Sequence, residues 1–121
     1  SLSEWAERPE FAALLTAYSR PSRIVRDYTT AFPLHPELFT EAAEQELYHA
    51  MQVAQHQRVS VHDVDGLMAT LRPLAEPIAT FFDHVFVMVE QQEMRENRLA
   101  LLQRIAELPK GIVDLTKVLG Y

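Results

Sequence analysis

From Met94 to Leu119 the large aliphatic side chains return at helical intervals. Met94, Leu101, Ile105, Leu108, Ile112, Leu115 and Leu119 step by seven and then alternately by four and three. That spacing places them on one stripe of a helix and demands a second apolar surface to cover it. A second stripe, Val64, Leu67, Leu71, Leu74, Ile78, Phe81, Val85 and Met88, repeats the rhythm. The chain has only three glycines, no alternating run and no Asn-Gly or Asp-Gly hairpin signal, so strands have little to start from.

The last stripe predicts one helix over about residues 92–118, bent near Pro109 and stopped by Gly120. Pro73 and Pro77 lie off the second stripe and predict a kink or short break within it; Ser60 with Asp63 resembles a capping box at its start. The β-branched run at 85–89 suits a helix end entering a buried connector. Thr40 is placed to cap a helix whose first turn carries Glu41 and Glu44, with Ala43, Leu47, Ala50, Met51 and Ala54 inward. Pro9 can open a first helix through about Ser19, with Phe11, Leu14, Leu15 and Tyr18 inward, and Pro21 a short second one through Ile24 and Val25. The expected fold is all-α: a bundle of four to five helices over residues 1–121, in one domain.

Composition narrows the chemistry. There are no cysteines, which removes disulfides, thiolate nucleophiles and Cys-based zinc sites and fits a reducing, cytoplasmic setting. No apolar run approaches the ~20 residues of a bilayer span. The net charge of −6 argues against nonspecific coating of nucleic acid, although a local basic patch escapes that argument because salt screens charge over about 10 Å. The opening SLSEWAERPEF carries acids and lacks an initiator Met, which favours excision from a longer chain.

Five histidines raise the question of metal. Glu46 and His49 share a helix face as an E-x-x-H pair, but a carboxylate-bridged di-iron bundle needs two such pairs and two further acids. His62-Asp63 and Asp83-His84 lack supporting ligands, and Asp63 is better placed as a helix-start residue. No Gly-rich phosphate loop and no Ser or Thr with a base and orienting acid occurs. The expectation is therefore no catalytic residue, no metal and no cofactor in this chain.

Arg20, Arg23 and Arg26 crowd into seven residues around Pro21. At helical spacing Arg23 and Arg26 share a face, and Arg20 falls at the expected helix start, where backbone amides attract phosphate. Guanidinium groups suit bidentate phosphate contacts and stacking on bases. The alternative is a solvated face paired with Asp27. Arg95 and Asn97 form a second polar cluster, diluted by Glu93 and Glu96. Arg98 falls on the apolar stripe and is expected to anchor structurally to a carboxylate, with Asp83 a candidate.

The stretch Phe81-Phe82-Asp83-His84-Val85-Phe86-Val87-Met88-Val89, followed by Met94-Arg95-Glu96-Asn97-Arg98-Leu99-Ala100-Leu101-Leu102, resembles the C-terminal region of the bacterial glycyl-tRNA synthetase beta subunit. The family pattern there is FFD-x-V-x-VM, then R-x-N-R-L-x-L-L, then a helix ending in D-[LI]-[ST], matched by Asp114-Leu115-Thr116. Upstream, Leu38-Phe39 with Glu44 and Glu46-Leu47-Tyr48 fit its LF…E-x-x-L element, and Arg20-Pro21-Ser22-Arg23-Ile24 its K-R-x-x-N-I element. The resemblance covers about residues 18–118.

It implies a helical anticodon-binding domain of the DALR type, related to that of arginyl-tRNA synthetase; the VFVM run and the RENRL spelling favour the glycyl subunit. It further implies glycine tRNA as partner, with the alpha subunit or a fused catalytic region supplying aminoacylation, and ATP and Mg expected only for that parent enzyme. Neither DNA nor a membrane is an expected partner. Arg20, Arg23, Arg26, Arg95 and Asn97 are the candidate RNA-binding residues, with Tyr18 or Tyr28 as a stacking surface or as core. Arg23 stands where the family usually has Asn, and Pro109 and Gly111 interrupt a helix the family runs smoothly. The rival expectation is a helical protein–protein module, whose long stripes would leave an apolar face uncovered.

Overall fold

A computed structural model describes residues 8–112, all helix, turn and irregular chain, with no strand among the described residues. Among the described residues five α-helices succeed one another: α1 (Pro9–Val25), α2 (Ala42–Arg58), α3 (Val64–Leu71), α4 (Ala75–His84) and α5 (Gln92–Glu107). Single 3-10 turns occupy Pro36–Leu38 and Arg72–Leu74. α1 packs on α4 and α5, and α2 on α3, α4 and α5, around one core.

The first helix does not break at Pro21. Phe11, Leu14, Tyr18, Pro21 and Val25 step by three and four and are all buried, so the proline ring lies on the inward stripe. A proline inside a helix removes one hydrogen bond and costs about 3 kcal/mol. Here the seam on both sides of Pro21 is pressed against α4 and α5, which holds the helix through it. Tyr18 is core: it is fully buried and its hydroxyl donates to the Ile105 carbonyl at 3.2 Å.

Burial holds the Tyr18 phenol well above its usual 10.0. Its contribution to stability is whole below about pH 10 and is lost at higher pH, because the unfolded chain ionises Tyr18 where the folded one resists. Urea midpoints measured from pH 8 upward should therefore fall past pH 10. Tyr18→Phe should cost about 1 kcal/mol at neutral pH and flatten that alkaline decline. A decline left unchanged in Tyr18→Phe would assign it to other groups.

The second helix starts one residue later than Thr40 suggested. Glu41 is the cap and forms a capping box with Glu44, whose Oε1 accepts from the Glu41 amide at 2.9 Å and the Thr40 amide at 3.3 Å. Ala43, Leu47, Met51 and Ala54 are buried as expected, and Ala50 is half-buried. α3 is capped by Asp63, whose Oδ1 accepts from the Gly66 amide at 2.8 Å, so Asp63 rather than Ser60 fills the cap position.

The expected break in the second stripe is the 3-10 turn containing Pro73. Leu67, Leu71, Leu74, Ile78, Phe81 and Val85 keep their phase across it and are buried. Met88 leaves the stripe. α4 ends at His84, and the extended chain beyond turns Val85 and Val87 inward but Phe86 and Met88 outward.

The last helix is shorter than its stripe. It ends at Glu107 rather than bending at Pro109 and continuing. Pro109 cannot donate to the Ile105 carbonyl, and Leu108, Lys110 and Ile112 close successive tight turns instead. Gly111, at φ 91°, adopts a left-handed conformation that stops a helix. Leu108 still reaches the core, which preserved the stripe beyond the helix itself. Leu115, Leu119, Gly120 and the Asp114-Leu115-Thr116 triplet lie outside the described residues.

Candidate nucleic-acid interface

The three clustered arginines do not converge. Successive steps of three residues turn about 60° short of a full circle, so Arg20, Arg23 and Arg26 fan across roughly 120° of the outer surface of α1. Because α1 runs unbroken from Pro9, Arg20 sits mid-helix and no free helix start lies beside it. Its guanidinium carbon stands 4.4 Å from the centre of the Phe82 ring, towards α4. Arg23 is exposed. Arg26 comes directly after the last residue of α1 and approaches Asp27 at 3.9 Å, a well-solvated contact of small energy.

Arg26 instead joins residues distant in sequence. A groove of about 640 Å³ opens between the end of α1, the chain just beyond it, Gln55 of α2 and the second half of α5. Its cations are Arg26, Arg104 and Lys110; Ser22, Tyr28, Thr29, Thr30 and Gln55 add hydroxyl and amide groups, Gln103 lines it with an amide bonded to the wall, and the acid in its lining, Glu107, lies 3.9 Å from Lys110. Sequence inspection missed Arg104 and Lys110. They reach Arg26 only through the docking of α1 on α5, and their one local signature, bases around a helix C-terminus, is common.

Side chains of α5 shape the irregular wall of this groove. The Gln103 amide accepts from the Phe32 amide at 3.0 Å and donates to the Thr30 carbonyl at 2.9 Å. Arg104 donates to the Phe32 carbonyl at 3.2 Å. The wall therefore has a fixed course without secondary structure of its own.

Asn97 and Arg95 are occupied by the chain itself. Asn97 is only 3 % exposed; its Oδ1 accepts from the His35 amide at 2.7 Å and its Nδ2 donates to the His35 carbonyl at 2.9 Å. Buried and bonded to His35 through both its oxygen and its nitrogen, Asn97 fixes the course of the chain at His35 and lies outside the lining of the groove. Arg95 is half-buried and donates to the carbonyls of Val89 and Glu90 at 3.2 and 3.3 Å. Arg98 does anchor to a carboxylate, but to Glu44 at 3.0 Å rather than to Asp83. Both side chains are buried, and Arg98 also donates to the Phe86 carbonyl.

Among the described residues no three His, Asp or Glu side chains are grouped as metal ligands. Glu46 and His49 lie exposed on α2, and Asp63 is engaged as a cap. No described helix is long and apolar enough to cross a membrane. The described parts of both seams are largely buried, with Met88 the exposed exception. What the groove offers is anion and base chemistry: guanidinium and ammonium groups beside amides and hydroxyls.

Residues 14–118 match the family model described as DALR anticodon binding domain. The chain is 39 % identical over 120 residues to a glycine–tRNA ligase beta subunit of Moorella thermoacetica, and 36 % identical over 120 residues to that of Desulforudis audaxviator. Each alignment takes in 97 % of this chain and 17 % of the relative. A chloroplastic/mitochondrial glycine–tRNA ligase of Arabidopsis thaliana is 38 % identical over 116 residues, covering 92 % of this chain and 11 % of that protein. The chain thus spans about a sixth of the length of the bacterial relatives it matches.

Proposed function

The chain belongs to the DALR anticodon-binding domain family, and on that premise we propose that it grips the anticodon end of glycine tRNA for a glycine–tRNA ligase. The observation that carries this is the groove in which Arg26, Arg104 and Lys110 stand beside amide and hydroxyl groups on a wall fixed by α5. Phosphates of the anticodon loop meet the cations, while unstacked bases find amides to bond and aromatic faces to stack on. Arg20 and Arg23, further round α1, extend the basic edge towards the stem.

The domain itself performs no bond chemistry in this scheme. It is a C-terminal part of a longer cytoplasmic synthetase chain, and the alpha subunit or a fused catalytic region activates glycine with ATP and Mg. Its contribution is affinity and discrimination at the far end of the tRNA.

Arg26, Arg104 and Lys110 changed together to Ala test this directly. Each phosphate contact on a single-stranded loop contributes about 0.7 to the slope of log affinity against log salt, so the triple variant should lose about 2 units of slope and bind glycine tRNA weakly. Arg20→Ala with Arg23→Ala should have a smaller effect in the same direction. Filter binding of glycine tRNA and a non-cognate tRNA over a salt series measures both. An unchanged slope and affinity in a triple variant of native thermal midpoint would reject the groove as the RNA site.

A further inference from the structure

Phe86 is 85 % exposed, while Phe11, Phe39 and Phe81 are buried. A phenyl group in water is normal on a loose loop; this one sits on a restrained segment. Val85 and Val87 on either side are buried at 7 and 6 % exposure, and the Val85 amide donates to the Phe81 carbonyl at 2.8 Å. The carbonyl of Phe86 itself accepts from Arg98, whose charge is locked in the interior by Glu44. Two and three residues beyond Val87, the carbonyls of Val89 and Glu90 accept from Arg95. The ring is thus displayed on backbone fixed from both ends.

The neighbouring outward side chain is Met88, 60 % exposed, with its sulfur 4.0 Å from the Tyr28 hydroxyl. Tyr28 also lines the basic groove and meets Phe32 edge-on at 5.6 Å. An apolar and aromatic track therefore leaves the groove through Tyr28, passes Met88 and ends at Phe86. We propose that Phe86 is a stacking platform for an unstacked base of the anticodon loop, lying at the end of this track; the proposal rests on the function given above.

Two observations select a base over other occupants. Asp83 and Glu90 flank the segment and are exposed, which repels phosphate, so a nucleotide arriving here presents its neutral ring rather than its backbone. A protein partner is a poorer fit. Phe86 and Met88 together offer on the order of 250 Å² of apolar surface, against about 800 Å² on each side of a stable protein interface.

The test uses the whole chain with glycine tRNA carrying 2-aminopurine at each anticodon position in turn. One position should lose fluorescence on binding, and Phe86→Ala should abolish that loss. Stacking of one base supports a loss of affinity of about ten-fold in Phe86→Ala, with the salt slope unchanged because no charge is removed, and Phe86→Trp should restore binding. The ring is exposed, so the thermal midpoint of Phe86→Ala should match that of the parent chain. If the Arg26, Arg104 and Lys110 variant is weakened while Phe86→Ala binds and quenches normally, the platform is overturned and the groove stands. If Phe86→Ala spares tRNA binding but impairs association with the remainder of the synthetase, the ring contacts protein and the platform is again overturned. If the parent chain itself fails to bind tRNA, the functional premise falls first.

Discussion

Arg98→Ala is expected to lower stability by about 3–5 kcal/mol, the cost of stranding one member of a buried ion pair. Glu44 would be left as a carboxylate with 3 % of its side chain exposed and its one charged partner gone. A typical domain has only about 5–15 kcal/mol in total, so the variant should unfold at a much lower urea concentration or fail to accumulate. Three segments would be affected together. Glu44 closes the capping box of α2, Arg98 belongs to the inward face of α5, and the Phe86 carbonyl fixes the segment between α4 and α5. Replacing both partners, as Arg98→Met with Glu44→Gln, should cost less than Arg98→Ala alone. No charge is then left unpaired, and the introduced amide can still accept at the cap. A midpoint for Arg98→Ala within about 1 kcal/mol of the parent would show that water relieves the stranded carboxylate.

Arg58→Ala should cost about 2–3 kcal/mol and should also weaken RNA binding, although Arg58 is not among the side chains lining the groove. Its guanidinium donates to three carbonyls: Leu108 at 2.6 Å, Val61 at 3.1 Å and Lys110 at 2.7 Å. These bonds tie the chain after α5 to the end of α2, just where the helix has stopped and Gly111 turns left-handed. Without them Lys110, a cation of the groove, loses its fixed backbone. Amide hydrogen exchange at residues 108–112 should accelerate by more than at the α3–α4 turn. Arg58→Lys should rescue little, since a point charge cannot span three carbonyls as a planar fork does. Normal tRNA affinity in Arg58→Ala, together with fast exchange at 108–112, would show that Lys110 binds nothing.

The sequence carried the helices because their seams repeat, and it misjudged both prolines for one reason. Pro21 and Pro109 each fall within or beside an apolar stripe, and periodicity alone cannot say whether the backbone continues with it. The residues just after each proline decide the matter. Pro21 precedes Ser-Arg-Ile-Val, residues a helix accepts, and its ring is itself buried on the stripe. Pro109 precedes Lys110 and Gly111, and the glycine takes a positive φ. The FFD-to-NRL block carries the family resemblance, and its polar letters bond to the chain itself: Asn97 to His35, Arg95 to Val89 and Glu90, and Arg98 to Glu44. A motif preserves residues that fix a shape as readily as residues that touch a ligand. The groove was invisible because Arg26 and Arg104 meet only after α1 and α5 dock, and no local spacing encodes that meeting.

The residues that set the course of the chain between Thr30 and His35 lie far downstream, separated from their targets by 62 to 73 positions. During synthesis the earlier helices can emerge and begin to collapse while this stretch still has nothing to hold it. Only when Asn97, Gln103 and Arg104 leave the ribosome does the cradle take shape. The stretch from Thr30 to His35 is therefore among the last parts of the described chain that can take a final course.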